Sequence, residues 1–270
     1  MTRMPTMFIP HGGGPCFFMD WNPPDEWDRH RQFLQSLPGT LPERPKALLV
    51  ISGHWEEHTF TVQTNRAPPL LFDYSGFPPH TYELTWPAPG DLALAERVHD
   101  LIHAAGLPAA KDSARGFDHG TFVPLKVAFP GADIPCVQLS LASDLDPGRH
   151  IALGRALAPL RDDGVLIIGS GNTYHNMMVM MRRLRGGSRG DTVGGAFDAW
   201  LTEAVTCLDA DERNRRLASW SKAPGGRDAH PREEHLMPLH VVAGAAGIDV
   251  GRKTLEDRVL GAVESAFRFG

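Results

Sequence analysis

Three of the 13 histidines stand where a short apolar run of the sequence ends. A neutral imidazole is the commonest protein ligand for zinc and ferrous iron, and a histidine that binds no metal can serve as an acid or base. One histidine at such a position is more often a hydrogen-bonded structural residue, but three at separate positions predict a metal site. With the runs that precede them, they are His11 after Met7–Pro10, His54 after Ala47–Ser52 and His175 soon after Val165–Gly169.

Two further histidines lie in polar contexts that are typical of turns. His119 is part of GFDHGTFVP, and His235 is part of HPREEHLMPLH, at the predicted start of a helix beside Glu234. The remaining histidines have weaker support. His99 and His103 are four residues apart on one helix face, which favours a solvated surface. His80 and His240 each adjoin a stronger candidate, whereas the others, His30, His58, His150 and His230, have no supporting context.

A glycine run and an arginine cluster give only weak support to anion binding. Gly12–Gly14 follow His11, but the pattern is neither GxGxxG nor GxxxxGK[ST], so support for phosphate binding is weak. The arginines at 182, 183, 185 and 189 fall in a Gly-rich stretch, Arg182–Gly195, that is predicted to be a mobile, solvated loop, with capture of a substrate anion as the minor alternative. The stretch Asn65–Gly90 is rich in proline and aromatics, so we expect an ordered loop there.

The elements that must position the histidines follow from the hydrophobic pattern. Nearly continuous apolar runs predict strands that are covered on both faces, and helical patterns lie between them. This alternation predicts one α/β domain over residues 1–270, with a central mixed, largely parallel sheet flanked by helices. Ligands bind beyond the carboxyl ends of such strands, where three of the histidines fall. The predicted strands are Met7–Pro10, Ala47–Ser52, Ile134–Leu141 and Val165–Gly169. The predicted helices are Asp91–Ala105, Arg149–Arg161 and Ala196–Leu208, one that begins near Glu234, and one that closes the chain after Leu255.

Composition excludes several classes of protein. The formal charge is -5 and the pI about 6.2, without the basic excess of a nucleic-acid binder. No run of apolar residues is long enough for a transmembrane helix, and the N-terminal apolar stretch is too short for a signal peptide. The cysteines Cys16, Cys136 and Cys207 are odd in number and widely spaced, which favours the reducing cytoplasm.

An ordered set of segments resembles a known family. PHGGGP, ISGHW, YSGFPPHTYELTWPAPG, GFDHGTFVPL, ADIPCVQLSL, GSGNTYHN and REEHLMPL occur in this order between about residues 5 and 247. Together they resemble the class III extradiol ring-cleaving dioxygenases of the DOPA 4,5-dioxygenase type. The resemblance implies an α/β fold and one non-haem metal, usually Fe(II), with Zn in some members.

The resemblance also implies roles for individual residues. His11, His54 and His235 match metal-binding positions, His175 matches a metal or adjacent catalytic position, and His119 matches an acid/base position. The third ligand is either His235 or its neighbour Glu234, because the wider group uses two histidines and a glutamate.

The implied reaction joins a catechol and dioxygen at the metal, with His119 or His175 taking a phenolic proton. Ser170 and Asn172 are expected to orient His175 or the substrate, and His80 and Tyr82 to line the pocket. Trp55, Phe77, Tyr82 and Trp86 form either an aromatic wall or part of the core. Two alternatives stay open: a zinc hydrolase on the same histidines, and a noncatalytic binding protein of the same fold. The particular catechol and a homo-oligomeric state also stay open.

Overall fold

The computed structural model describes residues 2–184 and 193–270, in which the strands form one eight-stranded sheet. The order across the sheet is β4-β3-β5-β2-β6-β1-β8-β7. The four central strands, β5, β2, β6 and β1, run parallel to one another. On one side β3 pairs with β5 in the antiparallel direction and with β4 in parallel, and on the other side β8 and β7 add an antiparallel edge. The strands are β1 (Thr6–Pro10), β2 (Ala47–Glu57), β3 (Phe60–Gln63), β4 (Ala109–Asp112), β5 (Cys136–Ala142), β6 (Val165–Gly171), β7 (Gly251–Val259) and β8 (Ala262–Phe269).

Helices cover both faces of the sheet. One hydrophobic cluster joins the sheet to α2, α4, α6, α7 and α9, and a second joins its other face to α1 and α3. The α/β prediction with a mixed, largely parallel sheet is therefore confirmed. The helices are α1 (Asp28–Ser36), α2 (Leu92–Ala104), α3 (His119–Ala128), α4 (Pro147–Leu157), α5 (Met177–Leu184), α6 (Gly195–Val205), α7 (Ala210–Ala218), α8 (Gly226–Ala229) and α9 (Met237–Ala246).

The four predicted strands correspond to β1, β2, β5 and β6, and three predicted helices correspond to α2, α4 and α6. The side chain of Asp91 accepts a hydrogen bond from the Leu94 N–H and so caps α2, as the sequence predicts. The helix expected near Glu234 begins at Met237. Part of the predicted loop Arg182–Gly195 is wrong, because α5 continues to Leu184; residues 185–192 lie outside the described residues.

The prediction of a closing helix after Leu255 is wrong. That segment forms the β7–β8 hairpin, whose two turn residues, Leu260 and Gly261, have φ values of 50° and 75°. Two left-handed residues in a tight turn favour an antiparallel hairpin over a helix. Every residue of β8 is buried, and the strand pairs with β1 on one side and β7 on the other. Pairing and burial therefore outweigh helical propensity here.

No helix among the described residues is long and apolar enough to span a membrane.

Candidate metal centre

Neighbouring strands bring three of the predicted histidines to one edge of the sheet. His11 directly follows β1, His54 lies near the end of β2, and His175 follows β6 by four residues. Since β6 pairs with both β1 and β2 in parallel, the carboxyl ends of all three strands lie side by side. The register of β2 against β5 shifts between Ile51 and Glu56, around His54. Such irregularities commonly re-aim a side chain beside an active site.

The other two histidines come from loops that close over the same edge. His119 is the first residue of α3, where the Asp118 side chain accepts a hydrogen bond from the Thr121 N–H and caps the helix. His235 lies two residues before α9, and its carbonyl oxygen accepts a hydrogen bond from the Asn172 N–H at 3.1 Å. A Cβ at Gly171 would lie 2.1 Å from that same carbonyl oxygen, so only glycine permits this approach.

His11, His54 and His235 converge closely enough to hold one metal ion. Their candidate ligand atoms lie within 4.8 Å of one another. The ring centroids are 4.7 Å apart for His11 and His54, 5.1 Å for His11 and His235, and 4.7 Å for His54 and His235. His11 and His235 are buried, and His54 is partly exposed toward a cavity.

The hydrogen bonds of these rings direct nitrogen lone pairs inward. His11 Nδ1 lies 2.8 Å from the Gly12 carbonyl oxygen, so Nδ1 donates, and Nε2 is buried with no hydrogen-bond partner among the described residues. His235 Nδ1 faces Glu234 Oε1 at 3.0 Å, which leaves its Nε2 as an acceptor 3.2 Å from His54 Nε2. The Nε2 atoms of His54 and His235 thus face each other, and either a hydrogen bond donated by His54 or a cation between the two nitrogens satisfies the pair. The residues therefore fit a metal ion.

Burial keeps these imidazoles neutral. Burial, followed by the charge of the neighbouring His119, lowers the pKa of His54 to about 3. Burial, followed by the charge of neighbouring histidines, also holds the pKa values of His11 and His235 well below their ordinary range. A neutral imidazole is the form that binds a metal, so near pH 7 these rings need not lose a proton before they bind one.

Glu234 lies behind the ligand candidates. Its Oε1 is 3.0 Å from His235 Nδ1 and 3.3 Å from His175 Nδ1, and its Oε2 is 3.3 Å from Arg232. Arg232 in turn pairs with both carboxylate oxygens of Glu56 at 2.5 Å. The His175 ring stacks on His235 with centroids 3.3 Å apart and an angle of 16°. Glu234 is thus placed to orient both rings, as carboxylates commonly do around metal sites.

A carboxylate that the sequence analysis missed, Asp73, orients His119. Its Oδ1 accepts hydrogen bonds from His119 Nδ1 at 2.7 Å and from the His119 backbone N–H at 3.0 Å, and its Oδ2 is 3.7 Å from His54 Nδ1. Burial acts to raise the pKa of Asp73, but its hydrogen bonds and charge interaction with His119 outweigh burial and bring the pKa to about 2. The ionised carboxylate fixes the His119 proton on Nδ1 and leaves Nε2 free.

A buried network supports the start of α3. Asp118 accepts hydrogen bonds from the Ser52 hydroxyl at 2.8 Å and from Arg115 at 2.9 Å, and Gln138 also donates to it. A Cβ at Gly120 would lie 2.7 Å from the Ser52 oxygen and 2.9 Å from a ring carbon of His54. The glycine after His119 therefore lets α3 approach β2.

A cavity of about 620 Å³ opens on the histidine cluster. His11, His54, His119 and His175 contribute to its wall, and so does Asn172. Beyond them lie residues that the sequence analysis did not select, among them Tyr74, Trp27, Met180 and Glu264. Of the predicted aromatic wall, Phe77 lines the cavity, whereas Trp55 and Trp86 are buried in the protein.

Three predicted substrate residues lie outside this wall. Ser170 is buried and donates to the Gly120 carbonyl, which links β6 to α3. His80 is exposed, with Nε2 at 3.0 Å from the Phe18 carbonyl oxygen. The Tyr82 hydroxyl accepts from the Phe77 N–H at 3.4 Å, so it supports a lining residue.

The buried histidines outside the cluster have structural partners. His240 contacts the carbonyl oxygens of Leu236 and Leu217 at 3.1 and 3.0 Å. His30 contacts the Pro10 carbonyl at 2.7 Å, and His230 contacts the Thr173 carbonyl at 3.0 Å.

Comparisons with known proteins identify the family of the chain. A profile of the family described as the catalytic LigB subunit of aromatic ring-opening dioxygenase matches residues 5–268. The chain is 41% identical over 244 residues to a Beta vulgaris protein named 4,5-DOPA dioxygenase extradiol, covering 90% of this chain and 87% of that protein. It is 36% identical over 245 residues to an Escherichia coli K12 protein of the same name, covering 90% and 86%.

A solved structure has the same fold. The crystal structure of an uncharacterized protein from Escherichia coli K12 superposes with a TM-score of 0.79 at 30% identity, covering 99% of this chain and 100% of that one. The chain therefore belongs to the LigB family of aromatic ring-opening dioxygenases, as a class III extradiol enzyme of the DOPA 4,5-dioxygenase type.

Proposed function

We propose that the chain opens the ring of a catechol with dioxygen at a single ferrous ion held by His11, His54 and His235. The observation that carries this proposal is the inward set of imidazole nitrogens: His11 Nε2 is buried without a hydrogen-bond partner in the part of the chain that the structure describes, and the Nε2 atoms of His54 and His235 are 3.2 Å apart. Three protein ligands leave open positions for a substrate and a second reactant, as a catalytic site requires. When bound, the ion would hold both catechol oxygens and let electrons pass from the ring to dioxygen.

His235, and not Glu234, is the proposed third ligand. Glu234 faces the Nδ1 side of His235, whereas the Nε2 side faces His54. A ligand set of three histidines also suits zinc, so the choice of iron over zinc needs its own test. Activity of the iron-loaded protein and inactivity of the zinc-loaded protein would support iron.

His119 is the proposed proton carrier. Asp73 holds the proton of His119 on Nδ1, so Nε2 presents a lone pair to a catechol hydroxyl in the cavity. A base positioned in this way accelerates proton transfer, and the same nitrogen can return the proton later in the cycle. Asn172 lines the cavity and is proposed to contact substrate, while Ser170 is proposed to act by positioning α3.

The reaction balances without an added reductant. One O–O bond and one ring C–C bond beside the diol break, and each of those two carbons gains one oxygen atom from dioxygen. The product is a ring-opened semialdehyde that carries a carboxyl group. Both atoms of dioxygen remain in it.

The test is oxygen consumption by protein loaded anaerobically with Fe(II), using a panel of catechols. We expect oxygen uptake with at least one catechol, together with a new absorbance at the edge of the visible range. No uptake with any catechol would contradict the proposal. Cleavage of an ester or amide by the zinc-loaded protein in the absence of oxygen would instead favour the zinc hydrolase. Binding of a catechol without turnover would favour a noncatalytic protein.

His175 has two proposed roles that one experiment separates. Its Nδ1 is held by Glu234 and its ring lies in the cavity wall. Loss of bound metal in His175→Ala would identify a fourth ligand, whereas full metal content with a reduced rate would identify an acid/base residue. His103→Ala is the matched control, since this histidine is exposed on α2.

A further inference from the structure

Apart from its histidines, the cavity wall is largely apolar. It includes Met19, Trp21, Trp27, Met177, Met180 and Leu260. A cavity of about 620 Å³ is large enough for a molecule well beyond a single ring. A catechol bound at the metal therefore leaves space that its ring substituent would occupy.

Glu264 contributes a carboxyl-bearing residue to this largely apolar wall. It lies on β8, is only 2% exposed, and contributes to the cavity wall. One of its oxygens accepts hydrogen bonds from the Thr173 N–H at 2.8 Å and from the Thr173 hydroxyl at 3.1 Å, and the Tyr174 backbone also donates to the carboxyl group. A carboxylate has about four acceptor positions, so three donors leave capacity for one more.

The charge state of Glu264 suits a cationic partner. Burial raises the pKa of this carboxyl to about 8, whereas its hydrogen bonds with Thr173 act in the opposite direction. At pH 7 the protonated form of Glu264 is thus favoured over the ionised form by about a factor of ten, which a bound ammonium group would offset. A carboxylate on the substrate would make ionisation of Glu264 less favourable still. No arginine or lysine belongs to the cavity wall that the described residues form, so none of these wall residues would offer a positive partner to a substrate carboxylate.

We propose that Glu264 selects catechols whose substituent ends in an ammonium group over those whose substituent ends in a carboxylate. The inference rests on the proposed catechol-cleaving function and names the substrate class at that same site. Glu264 acts on the substituent of the substrate, and the reaction at the ring is unchanged.

The experiment compares three catechols that differ in the end of a short side chain: dopamine, ethylcatechol and dihydrocaffeate. For the iron-loaded enzyme we expect kcat/KM for dopamine to exceed that for ethylcatechol by about tenfold, with dihydrocaffeate below both. Glu264→Gln should bring the dopamine and ethylcatechol values to within about threefold of each other, while the ethylcatechol value changes little.

The matched control is Asp257→Asn. Asp257 pairs with Glu264 across the β7–β8 hairpin and is similarly buried, but it is not part of the cavity wall. Its substitution removes a carboxylate from the same hairpin and should keep the preference for dopamine. An effect of overall charge would reduce the preference in both variants and contradict the inference.

Anaerobic binding supplies a readout that is independent of turnover. The Kd of the iron-loaded wild type should be lower for dopamine than for dihydrocaffeate, and Glu264→Gln should reduce that difference. Equal or tighter binding of dihydrocaffeate by the wild type would overturn the inference even if Glu264→Gln failed to fold. Turnover of no catechol, with dopamine still bound preferentially, would refute the proposed function and leave the charge preference intact.

Discussion

Asp73→Asn removes the negative charge that faces His119 while keeping the shape of the side chain. In the wild type the carboxylate accepts from His119 Nδ1 at 2.7 Å and from the His119 N–H at 3.0 Å. A hydrogen bond to a charged group contributes about 1.5–3 kcal/mol, which corresponds to about 10- to 100-fold in rate. The Asp73 side chain is 29% exposed, so solvent screening places the expected loss of kcat near the lower end, about tenfold.

The assay is steady-state oxygen uptake per bound metal, with metal content measured on the same sample. The rate is expressed per bound metal because Asp73 Oδ2 also lies 3.7 Å from Nδ1 of His54, a proposed ligand, so the substitution can change metal content as well. In a His119→Ala background, Asp73→Asn should have little further effect, because the histidine that it orients is gone. A kcat within twofold of the wild type, or a loss of equal size in both backgrounds, would refute the assignment of Asp73 as the residue that positions His119.

Three further predictions concern the metal and the buried histidines. His54→Ala should lose bound metal and stay folded, whereas His119→Ala should keep metal and lose about 100-fold in rate; equal metal loss in both variants would contradict their separate roles. Glu234→Gln should weaken metal binding by about tenfold in a chelator competition, because two imidazoles lose their orienting carboxylate; unchanged affinity would contradict this. The metal-free protein should lose stability as pH falls from 7 to 5, which denaturant titrations can measure. In this pH range the histidines of the unfolded chain bind protons, whereas the buried histidines of the folded protein stay neutral. The free energy of unfolding therefore falls by up to about 1.4 kcal/mol per pH unit for each such histidine. A free energy of unfolding that does not change with pH would argue against neutral burial. The histidines whose pKa values are lowered by burial are His11, His30, His54, His150, His230, His235 and His240.

The histidine cluster was accessible from sequence because it obeys a local rule. His11, His54 and His175 each follow an apolar run, and parallel neighbouring strands end at the same edge of a sheet. The rule needs only the position of each histidine relative to its own strand. It does not give the distances between rings, which depend on how β1, β2 and β6 pair.

The residues that the sequence did not predict depend on contacts between distant segments. Asp73 lies in an irregular Pro-rich loop with no hydrophobic period, and its partner His119 is 46 residues away. Asp73 and Tyr74 stand together among turn-forming residues, which could have marked a functional position. A polar residue in a loop usually faces solvent, however, so this signal is weak. Glu264 was missed for another reason, because its segment was assigned to a helix and the hairpin alone places it at the cavity.

The proposed reaction leaves both atoms of dioxygen in the ring-opened product. Mass spectrometry can test this on product formed by iron-loaded protein under isotope-labelled dioxygen, with borohydride present to reduce the aldehyde before its oxygen exchanges with water. We expect two labelled oxygen atoms in each ring-opened product, and no product from His54→Ala. A product with one labelled atom or none, or a labelled product from a variant that holds no metal, would contradict the proposed reaction.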